Sequence, residues 1–202
     1  MNNIVISTIF NCLSGNFGLT EEFIYSKIIQ KETRYAVLSS STMQATRLGF
    51  IPTCTLKNNK TLKVFEGKQG ILIVRNGRAG QMNFLESGKY TINDHAYILN
   101  LKDDFKQEHI IITSEDEKQF LLWFIFCYQP KVYEYSSKTA NATWNKTDFM
   151  RKTNISIPNK ETVNVIANLF GDCLQTINKI KRTQERLEIL LQKQIETLSS
   201  EG

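Results

Sequence analysis

The sequence predicts an α+β fold: a β-rich domain holding one buried helix, followed by one long C-terminal coiled-coil helix. Three observations carry this. Short apolar runs bounded by turn residues fill the first 100 positions. A capping pattern at Ser114 opens a run that is apolar on most sides. From residue 158 onward, apolar residues recur in alternating steps of four and three. In a chain of 202 residues this places a domain at 1–157 and a helix at 158–202. The first part is long enough for one substantial core.

Taken in order, Tyr35-Ala36-Val37-Leu38 and Gly70-Ile71-Leu72-Ile73-Val74 are strand candidates followed by small or polar residues. Asn76-Gly77, with Gly80 close behind, marks a tight turn. Tyr90-Thr91-Ile92 and Ala96-Tyr97-Ile98-Leu99 give two more strand pieces. Ser114 is the expected N-cap of a buried helix, with Glu117 reaching back to it, and Pro130 is expected to end that helix. Residues 136–146 are polar and read as a loop. Ile155 and Ile157 form a last extended piece, and Asn159 is placed to cap the long helix.

The seam of that helix runs through Ile166, Phe170, Cys173, Ile177, Ile180, Gln184, Leu187, Leu191, Gln194 and Leu198. Eight of the ten are apolar, the pattern of a coiled-coil seam rather than of a broad globular face. A helix over 161–198 would be roughly 57 Å long. Ile166, Phe170, Ile177, Ile180, Leu187, Leu191 and Leu198 are the expected dimerisation residues. The competing reading packs the same helix against its own chain.

The helix is electrically neutral, so the whole excess of five positive charges lies in the first 159 residues. A basic head on a neutral strut fits a polyanion partner. Cys12, Cys54, Cys127 and Cys173 are scattered and there are two histidines, which predicts no zinc site and fits a reducing cytosol. No signal peptide is evident, and the most apolar run, 120–128, is too short to span a bilayer. A cytoplasmic protein is expected.

Catalytic signatures are broken where they begin. Gly88-Lys89 lacks the hydroxyl residue and the first glycine of a phosphate loop, with Tyr90 and Asn83 in their places. Arg75-Asn76-Gly77-Arg78-Ala79-Gly80 has two glycines and leads into strand-like sequence, and no nucleophile elbow occurs. Glu66-Gly67-Lys68 has the shape of a nuclease metal site, but no Asp precedes Asp94.

Five segments in order resemble one family. Ser14-Gly15-Asn16-Phe17-Gly18-Leu19-Thr20-Glu21-Glu22-Phe23-Ile24-Tyr25 and Tyr35-Ala36-Val37-Leu38-Ser39-Ser40-Ser41-Thr42 resemble the opening of a target-recognition domain of type I restriction–modification specificity subunits. The segments 71–80, Tyr90-Thr91-Ile92-Asn93-Asp94-His95-Ala96-Tyr97-Ile98-Leu99, and Trp144-Asn145-Lys146-Thr147-Asp148-Phe149 with Ile155-Ser156-Ile157-Pro158 are similar to its later elements. The usual "P-P-L-x-E-Q" is replaced by Pro158-Asn159-Lys160-Glu161-Thr162, and Gly171 stands in mid-helix.

Members usually carry two recognition domains and two spacer helices, so the resemblance implies a half-size subunit with a single target-recognition domain. It implies sequence-specific binding of double-stranded DNA without catalysis. No cofactor is expected in this chain; S-adenosylmethionine, Mg and ATP would belong to the methyltransferase and restriction/motor partners. Antiparallel pairing of two helices would give a homodimer reading a split, inverted-repeat target.

The expected DNA-binding residues are Ser39, Ser40, Ser41, Thr42, Arg47, Lys60, Arg75, Asn76, Arg78, His95, Lys138, Thr139, Asn141, Asn145 and Lys146. Cations near loops would meet phosphate, and polar side chains would read base edges. For Ser39 to Thr42 a turn that satisfies its own backbone is an equal reading. His95 either faces DNA or hydrogen-bonds inside the sheet, and Trp144 either anchors its loop or stacks on a base. A coiled-coil interaction or regulatory protein without DNA binding, and a metal-dependent nuclease using Glu66 and Lys68, are the alternatives.

Overall fold

The computed structural model describes residues 3–27, 34–39 and 48–200, with side chains to residue 196. It is α+β, as the sequence predicts. The chain opens with β1 (Asn3–Val5), a single turn α1 (Ile6–Ile9), β2 (Phe10–Ser14) and α2 (Glu21–Ser26). Strands β3 (Tyr35–Leu38), β4 (Gly49–Ile51), β5 (Phe65–Glu66), β6 (Gly70–Val74), β7 (Met82–Leu85), β8 (Lys89–Ile92) and β9 (Ala96–Leu101) follow. Then come α3 (Asp103–Glu108), α4 (Ser114–Tyr133), α5 (Lys146–Lys152), β10 (Asn154–Ser156) and α6 (Lys160–Ser200).

Two four-stranded sheets form, in the orders β2-β9-β6-β7 and β4-β3-β8-β5, and β1 pairs with β10. All five residues of β6 are buried, which explains its unbroken apolar run. Ile71 and Ile73 face α4 and join a core with Phe10, Leu99, Phe120, Phe124 and Trp123. Leu72 faces the other way, against Leu38, Phe65 and Ile92 of the second sheet. The first sheet is therefore packed on both faces.

The cap of α4 lies one residue earlier than expected. Thr113, not Ser114, is the N-cap: its hydroxyl accepts from the Asp116 N–H at 3.0 Å, and Asp116 accepts from the Thr113 N–H at 3.1 Å. Both registers fit the pattern, and neighbours decide between them. Ser114 accepts a hydrogen bond from Gln69, Glu117 pairs with Lys106, and Asp116 pairs with Lys160.

Pro130 does not end α4, which runs on to Tyr133. Near a C-terminus a proline removes a single backbone hydrogen bond, here to the carbonyl of Phe126, whose side chain is exposed. The last turn is held by fully buried Val132 and by Gln129, which bonds the backbone of Met82 and Gly80. The polar stretch 136–146 is irregular only to Asn145, because Lys146 begins α5.

Asn159 caps α6 as expected, accepting from the Thr162 N–H at 2.9 Å. The start of α6 lies along α4. Val163 and Ala167 are buried, while Ile166, Phe170 and Leu174 are partly buried against the same core. Ile166 and Phe170, expected in a dimer seam, thus pack within their own chain; the Phe170 ring lies 5.5 Å from that of Phe126. Ile177, Ile180, Leu187 and Leu191 remain exposed, and the side chain of Leu198 lies outside the described residues. Among the described residues no helix is long and apolar enough to cross a membrane.

Candidate nucleic-acid interface

Strand order brings distant residues to one rim. β9 pairs antiparallel with both β2 and β6, matching Tyr97 to Ser14 and Ala96 to Val74. The end of β2, the end of β6 and the start of β9 therefore share an edge. Gly15 lies flat on the turn before β9: a Cβ there would be 1.7 Å from the Asn93 carbonyl oxygen, so no other residue fits. Asn16, 2% exposed, fixes the next segment. Its Nδ2 donates to the carbonyls of Lys63 and Ile92 and to the Thr91 hydroxyl, and its Oδ1 accepts from the Lys63 N–H at 2.9 Å.

Four of the expected residues meet on this rim. Arg75 donates from Nη1 to the Asp94 carbonyl at 3.0 Å. Asn76 Nδ2 and His95 Nδ1 are 2.7 Å apart, and Asn76 Oδ1 accepts from the Thr143 hydroxyl at 3.3 Å. His95 is half-exposed at the mouth of β9 rather than inside the sheet. Lys146 donates to Ser14 Oγ at 3.3 Å and lies over the Tyr97 ring. Lys63 joins them, donating from Nζ to the Ser14 carbonyl at 3.3 Å. Ser39 accepts from Asn93 Nδ2 at 3.1 Å.

The loop before α5 is stitched to the turn after β6. Gly77 N–H donates to the Ala142 carbonyl, and Trp144 N–H donates to the Arg75 carbonyl at 2.8 Å. Trp144 is 2% exposed, donates from Nε1 to the Val132 carbonyl and packs on Tyr97 and Phe149, so it anchors the loop. Lys138, Thr139 and Asn141 stand exposed on the loop, as Arg78 does on the turn. Both ends of the Asn145 side chain are taken by the α5 cap, through the N–H and carboxylate of Asp148. Lys60 lies on a separate turn, its N–H bonded to Asn58. Ser40, Ser41, Thr42 and Arg47 lie outside the described residues.

Between these elements an open groove of about 710 Å³ is lined by Arg75, Tyr97, Tyr135, Thr143, Lys146 and Asp148, among others. Burial pushes the Tyr97 phenol up, and it pushes the Cys12 thiol up to about 11 against the opposing effect of Lys146. Cys12 is therefore a protonated thiol and no nucleophile. Glu66 lies elsewhere: it pairs with Lys89 at 2.9 Å and accepts from Tyr35, and its carboxyl is held below its ordinary value first by Lys89 and then by Tyr35. Among the described residues no group of three or more His, Cys, Asp or Glu converges as a metal site would require.

Sequence reasoning passed over Ser14, Asn16 and Asn93. Gly15 between two polar residues was the available signal, since a close backbone approach requires glycine there.

No protein-family model matches the chain, and no curated protein matches it either. Solved structures do. A type I restriction–modification S subunit from M. genitalium is 16% identical at a TM-score of 0.55, over 90% of this chain and 42% of that one. An HsdS subunit from Thermoanaerobacter tengcongensis is 15% identical at 0.52, over 91% and 39%. A chain from a structure of the type I R-M system is 16% identical at 0.58, over 95% and 43%. The likeness is one of fold, and the chain spans about two-fifths of the length of these structures.

Proposed function

We propose that this chain is a non-catalytic DNA-specificity subunit of a type I restriction–modification assembly and that it works as a pair with a second copy. The observation that carries this reading is the rim itself. Lys63, Arg75 and Lys146 converge there, and among the described residues none has a carboxylate partner. Elsewhere Lys89, Lys106, Lys131, Arg151, Lys152 and Lys160 are each ion-paired. Unneutralised cations beside hydrogen-bonding amides suit phosphate contact flanking base-edge contact. The fold shared with S subunits supports the same reading.

In this reading the domain reads one half of a bipartite target, and the exposed stretch of α6 pairs with a second copy that reads the other half. A methyltransferase subunit and a restriction/motor subunit complete the cytoplasmic assembly. S-adenosylmethionine, Mg and ATP act on those partners, not here.

The test is a DNA shift at low salt with the wild type, Arg75→Ala and Arg78→Ala. Arg78 is free of side-chain ties among the described residues, so its loss weakens binding and leaves the melting temperature unchanged. Loss of Arg75 weakens binding and also removes the tie to Asp94, at about 1 kcal/mol. Wild-type affinity in both variants removes this rim from the interface. Absence of any shift, with and without the methyltransferase subunit, ends the DNA reading.

A further inference from the structure

We propose that Lys63 and Lys146 form a single phosphate clamp hinged on Ser14, engaging one backbone phosphate of the duplex; the inference rests on the DNA-binding reading above. The two lysines lie far apart in the chain, yet each ammonium donates to the same residue, Lys63 to the Ser14 carbonyl and Lys146 to its hydroxyl, both at 3.3 Å. An ammonium carries three donors. Ser14 takes one from each, leaving the others directed outward or to water. Bringing two like charges to one neutral serine is unfavourable unless an anion joins them. Among the described residues no carboxylate does so.

The seat is built rather than incidental. Ser14 is the last residue of β2 and is paired to Tyr97, whose ring lies 5.7 Å beneath the Lys146 ammonium. The next residue, Gly15, is pressed on the Asn93 carbonyl, so Ser14 cannot swing outward. Buried Asn16 grips the backbone of Lys63 at both its N–H and its carbonyl. Lys146 begins α5 directly after the Asn145 cap. Asn16 and Ser14 are thus positioning residues, and the two ammonium groups are the contact.

The experiment measures binding of the full-length chain to a random-sequence 30-base-pair duplex across a salt series. Variants are Lys63→Met, Lys146→Met, the double variant, Lys63→Arg, and Lys118→Ala on α4 as a control. Wild type comes first: a flat salt response defeats the DNA reading itself, separately from the clamp. Given a salt-dependent wild type, each single variant should lose affinity about five-fold and the double variant little more. The double variant's log–log salt slope should fall by about 0.9, the value of one phosphate. Lys63→Arg should keep the wild-type slope, which a merely structural role for Lys63 would not predict. Single variants that bind like wild type overturn the clamp, as does a double variant whose loss is the full product of the singles with a slope change near two phosphates. Melting curves of each variant confirm that the fold is intact.

Discussion

The two ends of α6 carry the same stripe and meet different fates. In its first four turns, Val163, Ile166, Ala167, Phe170 and Leu174 lie on α4 and belong to the core of the head. Beyond Leu174, Ile177, Ile180, Leu187 and Leu191 follow at the same spacing but are 45% to 58% exposed. The reason is length. α4 runs alongside in the same direction, from Asp116 beside Lys160 to Phe126 beside Phe170, and stops at Tyr133. α6 outruns it by about 34 Å over residues 178–200. The first part has its coiled-coil partner within the chain; the second part keeps an apolar face whose burial would gain about 1.5–3 kcal/mol per side chain.

That contrast breaks most sharply by placing a charge on each side of it. Ala167, fully buried between α4 and the core, tolerates no carboxylate. Ala167→Asp is expected to destabilise the head by several kcal/mol, read from the urea midpoint. Leu187→Glu with Leu191→Glu should shift the head's stability by no more than about 0.5 kcal/mol, because neither residue touches it. In ultracentrifugation the same pair should convert a dimer to a monomer. If the double variant keeps the wild-type mass, the distal stripe is not the seam. If Ala167→Asp is harmless, the proximal end is not part of the core.

What was legible in the sequence follows the same division between local and distant causes. Runs such as 70–74 and 96–99 announce strands because burial on two faces demands continuous apolar residues. The stripe of α6 announces a helix with something on one side. Periodicity states that a face is covered and says nothing of which helix covers it, so Ile166 and Phe170 looked like Leu187. The Asn145 cap of α5 was present in sequence, with Asp148 three residues on, but was absorbed into a polar stretch. The pairing of Ile4 with Ile155 has no local signal at all. In the candidate site, Arg75, Asn76, His95 and Lys146 were legible by type and loop position. Ser14 and Asn16 were not, because their roles arise from distant partners: the pairing of β2 with β9 joins residue 14 to 97, and the Asn16 side-chain amide joins it to residue 63.

A milder probe of the proximal end is acid. Asp116 is held at about 2, first by the Lys160 ammonium at 2.7 Å and then by the Thr113 hydroxyl and N–H. A carboxyl depressed by folding stabilises fully above its unfolded value near 4, and that contribution fades as pH falls toward 2. Lys160 is well exposed, so screening limits the effect to about 1 kcal/mol. Asp116→Asn should therefore be less stable than wild type by about that amount at pH 6, with the gap closing near pH 2. A gap that stays constant across this range would show that the ion pair to α6 contributes nothing.

The smallest expected change lies at the border between the two regions. Gly171 is helical, and a Cβ there would meet only Leu122 Cδ1, at 3.8 Å, an ordinary contact. The packing on α4 thus has room for a methyl group, and glycine in a helix interior is less favourable than alanine by about 0.5–1 kcal/mol. Gly171→Ala should raise the melting temperature by a few degrees and leave both the mass in solution and DNA affinity as they were. A gain in stability accompanied by loss of the dimer would mean that a second helix approaches as far back as residue 171, moving the border toward the head. A loss of stability would mean that α6 bends at this glycine, and that its two ends differ in direction as well as in partner.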